Sequence, residues 1–150
     1  YKALGRNEEA LRMRRDVYSG WSKFLGEEDE RTLRAAHNYA SSLLDLRRFK
    51  EAKALLGKTI PAVRCVLGEG DRLTLKMRMI YAEALYKDDA ATLDDHRESV
   101  TTLEEMTRTA RRVLGGAHPL AVDFVHSLQK ARAALAARDV EALRVGAMRV

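Results

Sequence analysis

Few residues in this chain are of types that could do chemistry, and they are scattered. Cys65 is the only cysteine, with Arg64 beside it. A nucleophilic thiolate needs a cation close by to hold it ionised. Adjacent residues on a helix point different ways, so a half-buried structural cysteine is expected instead. A metal site needs several converging ligands, and neither His37 nor His126 has a His or Cys three or four residues on. Both are read as solvent- or partner-facing, with no metal and no cofactor. Arg12, Arg14 and Arg15, and Arg108, Arg111 and Arg112, could touch phosphates. Asp16, Glu27, Glu28, Asp29, Glu104 and Glu105 interrupt them, and no aromatic platform for stacking bases accompanies them. They are read as solvated helix faces. The chain carries no glycine-rich phosphate loop, no GxSxG and no HExxH. No catalytic residue is assigned, and no enzyme is expected.

The elements that position these residues must be helices. Hydrophobic residues make up 46% of the 150 residues, enough for a real core, and charged residues 33%. Only two prolines and nine glycines interrupt a sequence dominated by Ala, Leu, Arg and Glu, all good helix formers. Lys and Arg exceed Asp and Glu by 27 to 22, a mild basic bias that suits an acidic partner. The lone cysteine excludes an internal disulfide and suits a reducing, cytoplasmic setting. No apolar run is long enough to cross a membrane, and no signal peptide is visible. The opening YKALGR lacks Met and starts inside a motif, so the chain is expected to be a piece of a longer protein.

A repeat organises it. FLGEEDERTL at 24–33 returns as VLGEGDRLTL at 66–75 and, altered, as VLGGAHPLAV at 113–122. Gly26 and Gly68 lie 42 residues apart, and Gly68 and Gly115 lie 47 apart. Leu4-Gly5-Arg6 pairs with Leu46-Arg47-Arg48, Glu9-Ala10 with Glu51-Ala52, and Tyr39-Ala40 with Tyr81-Ala82, all at the shorter spacing. The five extra residues fall between Leu85 and Ser99, in KDDAATLDDHRE. Being acidic, they suit the N-terminal end of a lengthened helix or a contact loop.

Each repeat has room for a helix pair, A and B. Leu33, Ala36, Tyr39, Ala40, Leu43 and Leu44 recur at spacings of three and four, as do Ala52, Leu55, Leu56, Ile60, Val63 and Leu67. Leu-Gly ends each B helix, since glycine takes the left-handed conformation of a helix C-cap. Asp29 and Asp71 stand as N-caps, and His118-Pro119 opens the third A helix. The pattern predicts B1 at 7–24, A2 at 29–46, B2 at 49–66, A3 at 72–87, B3 at 92–113, A4 at 119–137 and B4 at 139–148. Residues 1–4 read as the last turn of an earlier A helix. Pro61 should kink B2, or break it, by straining the carbonyl of Gly57. Tyr18, Trp21 and Phe24 share one side of B1 and read as packing between repeats.

The stretch LGEEDERTLRAAHNYASSLLDLRRFKEAKALL resembles tetratricopeptide repeats of the kinesin light chain type. Leu25-Gly26, Thr32-Leu33, Asn38-Tyr39-Ala40, Leu43, Phe49 and Glu51-Ala52 carry the resemblance. The second repeat adds Leu67-Gly68, Thr74-Leu75, Tyr81-Ala82 and Leu85, and the third adds Leu114-Gly115 and His118-Pro119. Ala121-Val122 replaces the family's Thr-Leu, and Arg47 replaces its glycine before the aromatic. The resemblance implies an all-α superhelix, a single solenoid domain over 1–150 with repeats at about 1–25, 26–67, 68–114 and 115–150. A helices would line its concave face and B helices its convex face. HEAT-like packing is the fold alternative; WD40 blades fit poorly because nothing alternates like a strand.

The same resemblance implies a non-catalytic scaffold that holds a peptide or partner domain on the A-helix face. The implied positions are Arg34, His37, Asn38, Ser41 and Asp45 on A2, then Lys76, Met79, Ile80, Glu83 and Lys87 on A3. Asp123, His126, Ser127 and Lys130 follow on A4. Asn38 matches the family's asparagine that bonds a peptide backbone; Ile80 and Ser127 stand in its place in the next two repeats. Met79 and Ile80 would pack a partner's apolar side chain. Arg34, His37, Lys76 and Lys130 make the face basic, which suits an acidic peptide. The alternatives are a nucleic-acid-binding repeat using the basic convex faces, which the interrupting acids disfavour, and a purely structural or oligomerising segment. The C-terminal pair A4–B4 could itself fill the groove.

Overall fold

The computed structural model describes residues 2–148, with side chains from residue 5 onward. It is all-α: helices α1 (Lys2–Leu25), α2 (Glu30–Asp45), α3 (Phe49–Leu67), α4 (Arg72–Lys87), α5 (Leu93–Leu114) and α6 (Pro119–Met148) follow one another, with no strand among the described residues. They gather into two compact units, Tyr1–Ala84 and Leu85–Val150.

The loops explain the repeat. Gly26, Gly68 and Gly115 adopt φ of 85°, 89° and 89°, a region that side chains disfavour. Each donates its N–H to the carbonyl four residues back, at 3.0, 3.0 and 3.1 Å, on Ser22, Arg64 and Arg111. Three residues beyond each glycine, a side chain caps the next helix. Asp29 accepts from the Arg31 N–H at 2.9 Å, Asp71 from that of Leu73 at 2.9 Å, and His118 Nδ1 from that of Leu120 at 3.1 Å. A Cβ added at Gly68 or Gly57 would meet nothing within 4 Å, so backbone conformation alone separates them. Gly68→Ala is expected to destabilise by about 1–2 kcal/mol. Gly57→Ala, inside α3, is expected to stabilise by about 0.5–1 kcal/mol. Urea denaturation of both variants checks the opposite signs.

The five extra residues of the second repeat divide between two places. The loop 88–92 is two residues longer than 46–48, and α5, at 22 residues, is three longer than α3, at 19. Thr92 and Asp95 form a reciprocal capping box at 3.1 and 3.0 Å, so the acidic insertion does lengthen the helix at its N-terminus.

Two boundaries differ from expectation. Helix α1 starts at Lys2 and runs through Gly5 without a turn, so residues 2–4 belong to α1, not to an earlier helix; residue 1 lies outside the described residues. Helix α3 keeps its expected bounds and is continuous through Pro61, so of the two outcomes expected there the break does not occur. Pro61 itself is exposed, while Leu56 and Val63 on either side of it are fully buried in one core and anchor both halves. Helix α6 is one helix of 30 residues where an A4–B4 pair was expected. Between Ala131 and Val145 it has neither Gly nor Pro, and Ala, Leu and Arg favour continuation. Among the described residues no A4–B4 hairpin exists to act as a plug.

In the first unit, α1 packs on α2 and α2 on α3. Tyr18, Leu33, Ala35, Ala36, Ala40, Leu56, Val63, Met77 and Ile80 form one core cluster, so α4 joins it too. Leu11, Leu43, Phe49, Ala52 and Ala84 form another. The first loop locks onto this core. Glu27 accepts hydrogen bonds from the hydroxyls of Ser22 and of Tyr18 (2.9 Å for the latter) and meets the Lys58 ammonium at 3.5 Å. Burial pulls the Glu27 carboxyl upward, but those hydrogen bonds and the ammonium outweigh it and hold it below the ordinary value. A carboxyl whose folded pKa is depressed adds stability above its unfolded value, about 4.3, and that stability is lost as pH falls through the folded value. Glu27→Gln is therefore expected to lower stability at neutral pH and to flatten the acid limb below about pH 4.3, measured by urea midpoints along a pH series.

In the second unit, α5 packs along α6, burying Leu103, Met106 and Ala110 on one helix and Leu120, Ala121, Phe124, Leu128 and Ala131 on the other. Arg138 donates to the Ala91 carbonyl at 3.0 Å, tying α6 to the lengthened loop.

Candidate functional site

On α2, the residues expected to face a partner divide by environment. Arg34 is exposed and pairs with Glu30 one turn back at 2.9 Å. Asn38 is exposed, and Ser41 and His37 are half-buried. His37 Nδ1 stands 3.4 Å from Asn38 Oδ1. Burial depresses the His37 pKa; the Asn38 contact opposes this, while the charges of Lys76 and Arg14 lower it further. His37 is thus favoured as neutral imidazole, with one cation from α4 and one from α1 acting on it.

Arg14 is exposed, as the reading of a solvated face has it, and its guanidinium also reaches α2, donating to the Ser42 hydroxyl at 2.7 Å and to the Asn38 carbonyl at 3.3 Å. Asn7, Ala10 and Asp45 complete a cleft of about 100 Å³ around it. The signal for this was present in the repeat. Arg14 lies 42 residues before Leu56, which in turn aligns with Leu103, and both leucines are fully buried. Arg14 stays exposed, but the repeat directs it toward α2, whose oxygens its guanidinium meets.

On α4, Lys76 is exposed, and Met79, Glu83 and Lys87 are half-buried. Ile80 is only 8% exposed and belongs to the core with Leu33, Ala36 and Met77. It is not open to a partner, because an apolar side chain beside the α2 interface is stabilised more by burial than by display. On α6, in the second unit, Asp123, His126 and Lys130 are exposed, whereas Ser127 is buried. The structure therefore brings Arg14, His37, Asn38 and Lys76 to one neighbourhood of the first unit and removes Ile80 and Ser127 from the accessible set.

The other candidates fall out as follows. Cys65 is exposed, not half-buried. Tyr18 packs in the core, but Trp21 remains 38% exposed under the Arg31 guanidinium, and Phe24 is 86% exposed. Arg12, Arg15, Arg108, Arg111 and Arg112 are exposed. Among the described residues, no group of three or more His, Cys, Asp or Glu converges as a metal site, and no helix is long and apolar enough to cross a membrane. No family model matches the chain, and no curated protein matches it.

Proposed function

We propose that this chain is a non-catalytic protein-binding module of the tetratricopeptide type. It holds an extended, acidic segment of a partner on the face that α2 and α4 present in the first unit. The observation supporting this is the cluster of Lys76, Arg14 and neutral His37 around the exposed side chain of Asn38. Lys76 offers charge-assisted bonds to a carboxylate. Asn38 offers both a donor and an acceptor to a peptide backbone, and Arg14 fixes the backbone beneath it. Asp123, His126 and Lys130 carry the corresponding positions of α6. The test is titration of the chain with fluorescent Asp- and Glu-rich peptides. Lys76→Glu with Arg34→Glu is expected to weaken binding at least about tenfold, since a hydrogen bond to a charged group contributes about 1.5–3 kcal/mol. Unchanged affinity would overturn the assignment.

A further inference from the structure

Helix α1 carries two apolar faces, and only one of them is covered. Leu11 and Tyr18 turn inward and are buried. Ala10, Met13, Val17, Trp21 and Phe24 follow one another at spacings of three and four, so they share a second face. Its four large members stay exposed, from 38% at Trp21 to 86% at Phe24. The repeat shows what such a face does when it is covered. In place of Met13, Val17 and Trp21, α3 carries Leu55, Thr59 and Val63, 42 residues on. Leu55 is half-buried, and Thr59 and Val63 are buried. Val63 and Leu55 pack there with Leu33 and Ala36 of α2. The positions that α3 buries, α1 bares. Single exposed hydrophobics are ordinary, but a continuous row of four with two aromatic rings marks a contact surface.

We infer that this row is the interface of a symmetric dimer, in which α1 of a second copy lies antiparallel on α1 about a two-fold axis at Val17. The row is complementary to itself in size. Antiparallel pairing about Val17 sets the small Ala10 of one copy under Phe24 of the other, and Met13 against Trp21. Methionine fills irregular space beside an aromatic ring. A parallel pair would instead set Phe24 on Phe24 and leave Ala10 facing Ala10, crowded at one end and hollow at the other. The row is also nearly complementary in charge. Glu9, Asp16 and Lys23 stand seven apart along one exposed flank. The same two-fold brings Glu9 of each copy near Lys23 of the other, and Asp16 near Asp16 at the axis. Two attractive pairs thus stand against one repulsive pair, which the Arg15 guanidinium, 3.9 Å from the Asp16 carboxylate, softens. Two copies of the row with their charged rims make an interface near the small end for specific contacts, about 1,000 Å² in total, so half-association at about 10–100 µM is expected. None of these residues belongs to the face proposed for the acidic segment, so the two stand or fall separately.

Sedimentation velocity of the whole chain from about 1 to 500 µM tests this. A monomer–dimer equilibrium is expected, with the emission of Trp21, the only tryptophan, moving to the blue as the dimer fills. Phe24→Ser and Val17→Glu, both at exposed positions, should hold the chain monomeric with helicity retained. Charge variants test the axis. Glu9→Lys should weaken the dimer about fivefold, and Lys23→Glu added to it should restore the parent affinity. Asp16→Asn, which removes the repulsive pair, should tighten it about threefold. The inference fails if the chain is monomeric throughout, if it assembles beyond the dimer, if Phe24→Ser dimerises as the parent chain does, if Lys23→Glu does not rescue Glu9→Lys, or if Asp16→Asn weakens the dimer. A monomer whose Trp21 emission shifts only with phosphatidylglycerol vesicles overturns it too, and makes the row a membrane-surface contact instead.

Discussion

Leu33→Ala is expected to lower the unfolding free energy of the first unit by about 2–5 kcal/mol, whereas Val122→Ala should change stability by no more than about 0.5 kcal/mol. The two residues hold the same place in the repeat, one position after Thr32 and Ala121. Leu33 is fully buried among Tyr18, Ala36, Leu56 and Met77, with α1 on one side and α3 on the other. Removing its branch leaves a cavity in that core. Leu75, the middle copy, is fully buried as well. Val122 is 40% exposed. Helix α6 has α5 beside it, but its C-terminal half runs straight on, so among the described residues no returning helix covers its other side. Chemical denaturation of the two variants tests this. A large loss at Val122 would show that α6 is covered as α2 is.

Phe49→Ala should cost about 3–5 kcal/mol, while His96→Phe at the aligned position should gain about 1–2 kcal/mol. Phe49 is buried with Leu11, Leu43 and Ala52, and the Arg47 guanidinium lies 5.1 Å from its ring centre. His96 occupies the matching first turn of α5 but brings an unpartnered nitrogen into it. Burial depresses the His96 pKa and the Arg138 charge lowers it further, while Asp95 opposes both. A histidine with a depressed folded pKa binds fewer protons than in the unfolded chain. Its contribution is complete above about pH 6.5 and is lost as pH falls through the lower folded value. His37 acts in the same direction. The parent chain should therefore lose stability on mild acidification, and His96→Phe should remove part of that loss. Thermal melts along a pH series decide it; an unchanged acid limb in His96→Phe would rule the histidine out as its source.

The helix ends that the sequence disclosed are those where a local device acts. Gly26, Gly68 and Gly115 each take positive φ, and Asp29, Asp71 and His118 each cap a helix. The boundaries that stayed hidden have no such device. Nothing between Ala137 and Val140 signals a stop, and a break there followed only from the length of the other A helices. Gly5 has its counterpart in the loop at Arg47, which does take φ of 58°. A single exposed glycine costs a helix only about 1 kcal/mol, and α1 runs through it. The accessible face was legible at Asn38 and Lys76, where polar side chains at helical spacing have little reason to be buried. It was misassigned at Ile80 and Ser127, because their neighbours from other helices, not their spacing, decide exposure. The contact of Arg14 with α2 is not visible in its cluster with Arg12 and Arg15; it shows only in the repeat, where Arg14 aligns with the buried Leu56.

Trp21 and Cys65 each occur once in the chain, and both lie in the first unit, on α1 and α3. With the thiol exposed, a maleimide-linked acceptor attached there would pair with indole emission as an internal ruler. Its signal would follow the opening of the first unit alone. Far-ultraviolet circular dichroism would sum over all six helices. Any separation between the two transitions on heating would show directly whether the two units melt together or in turn.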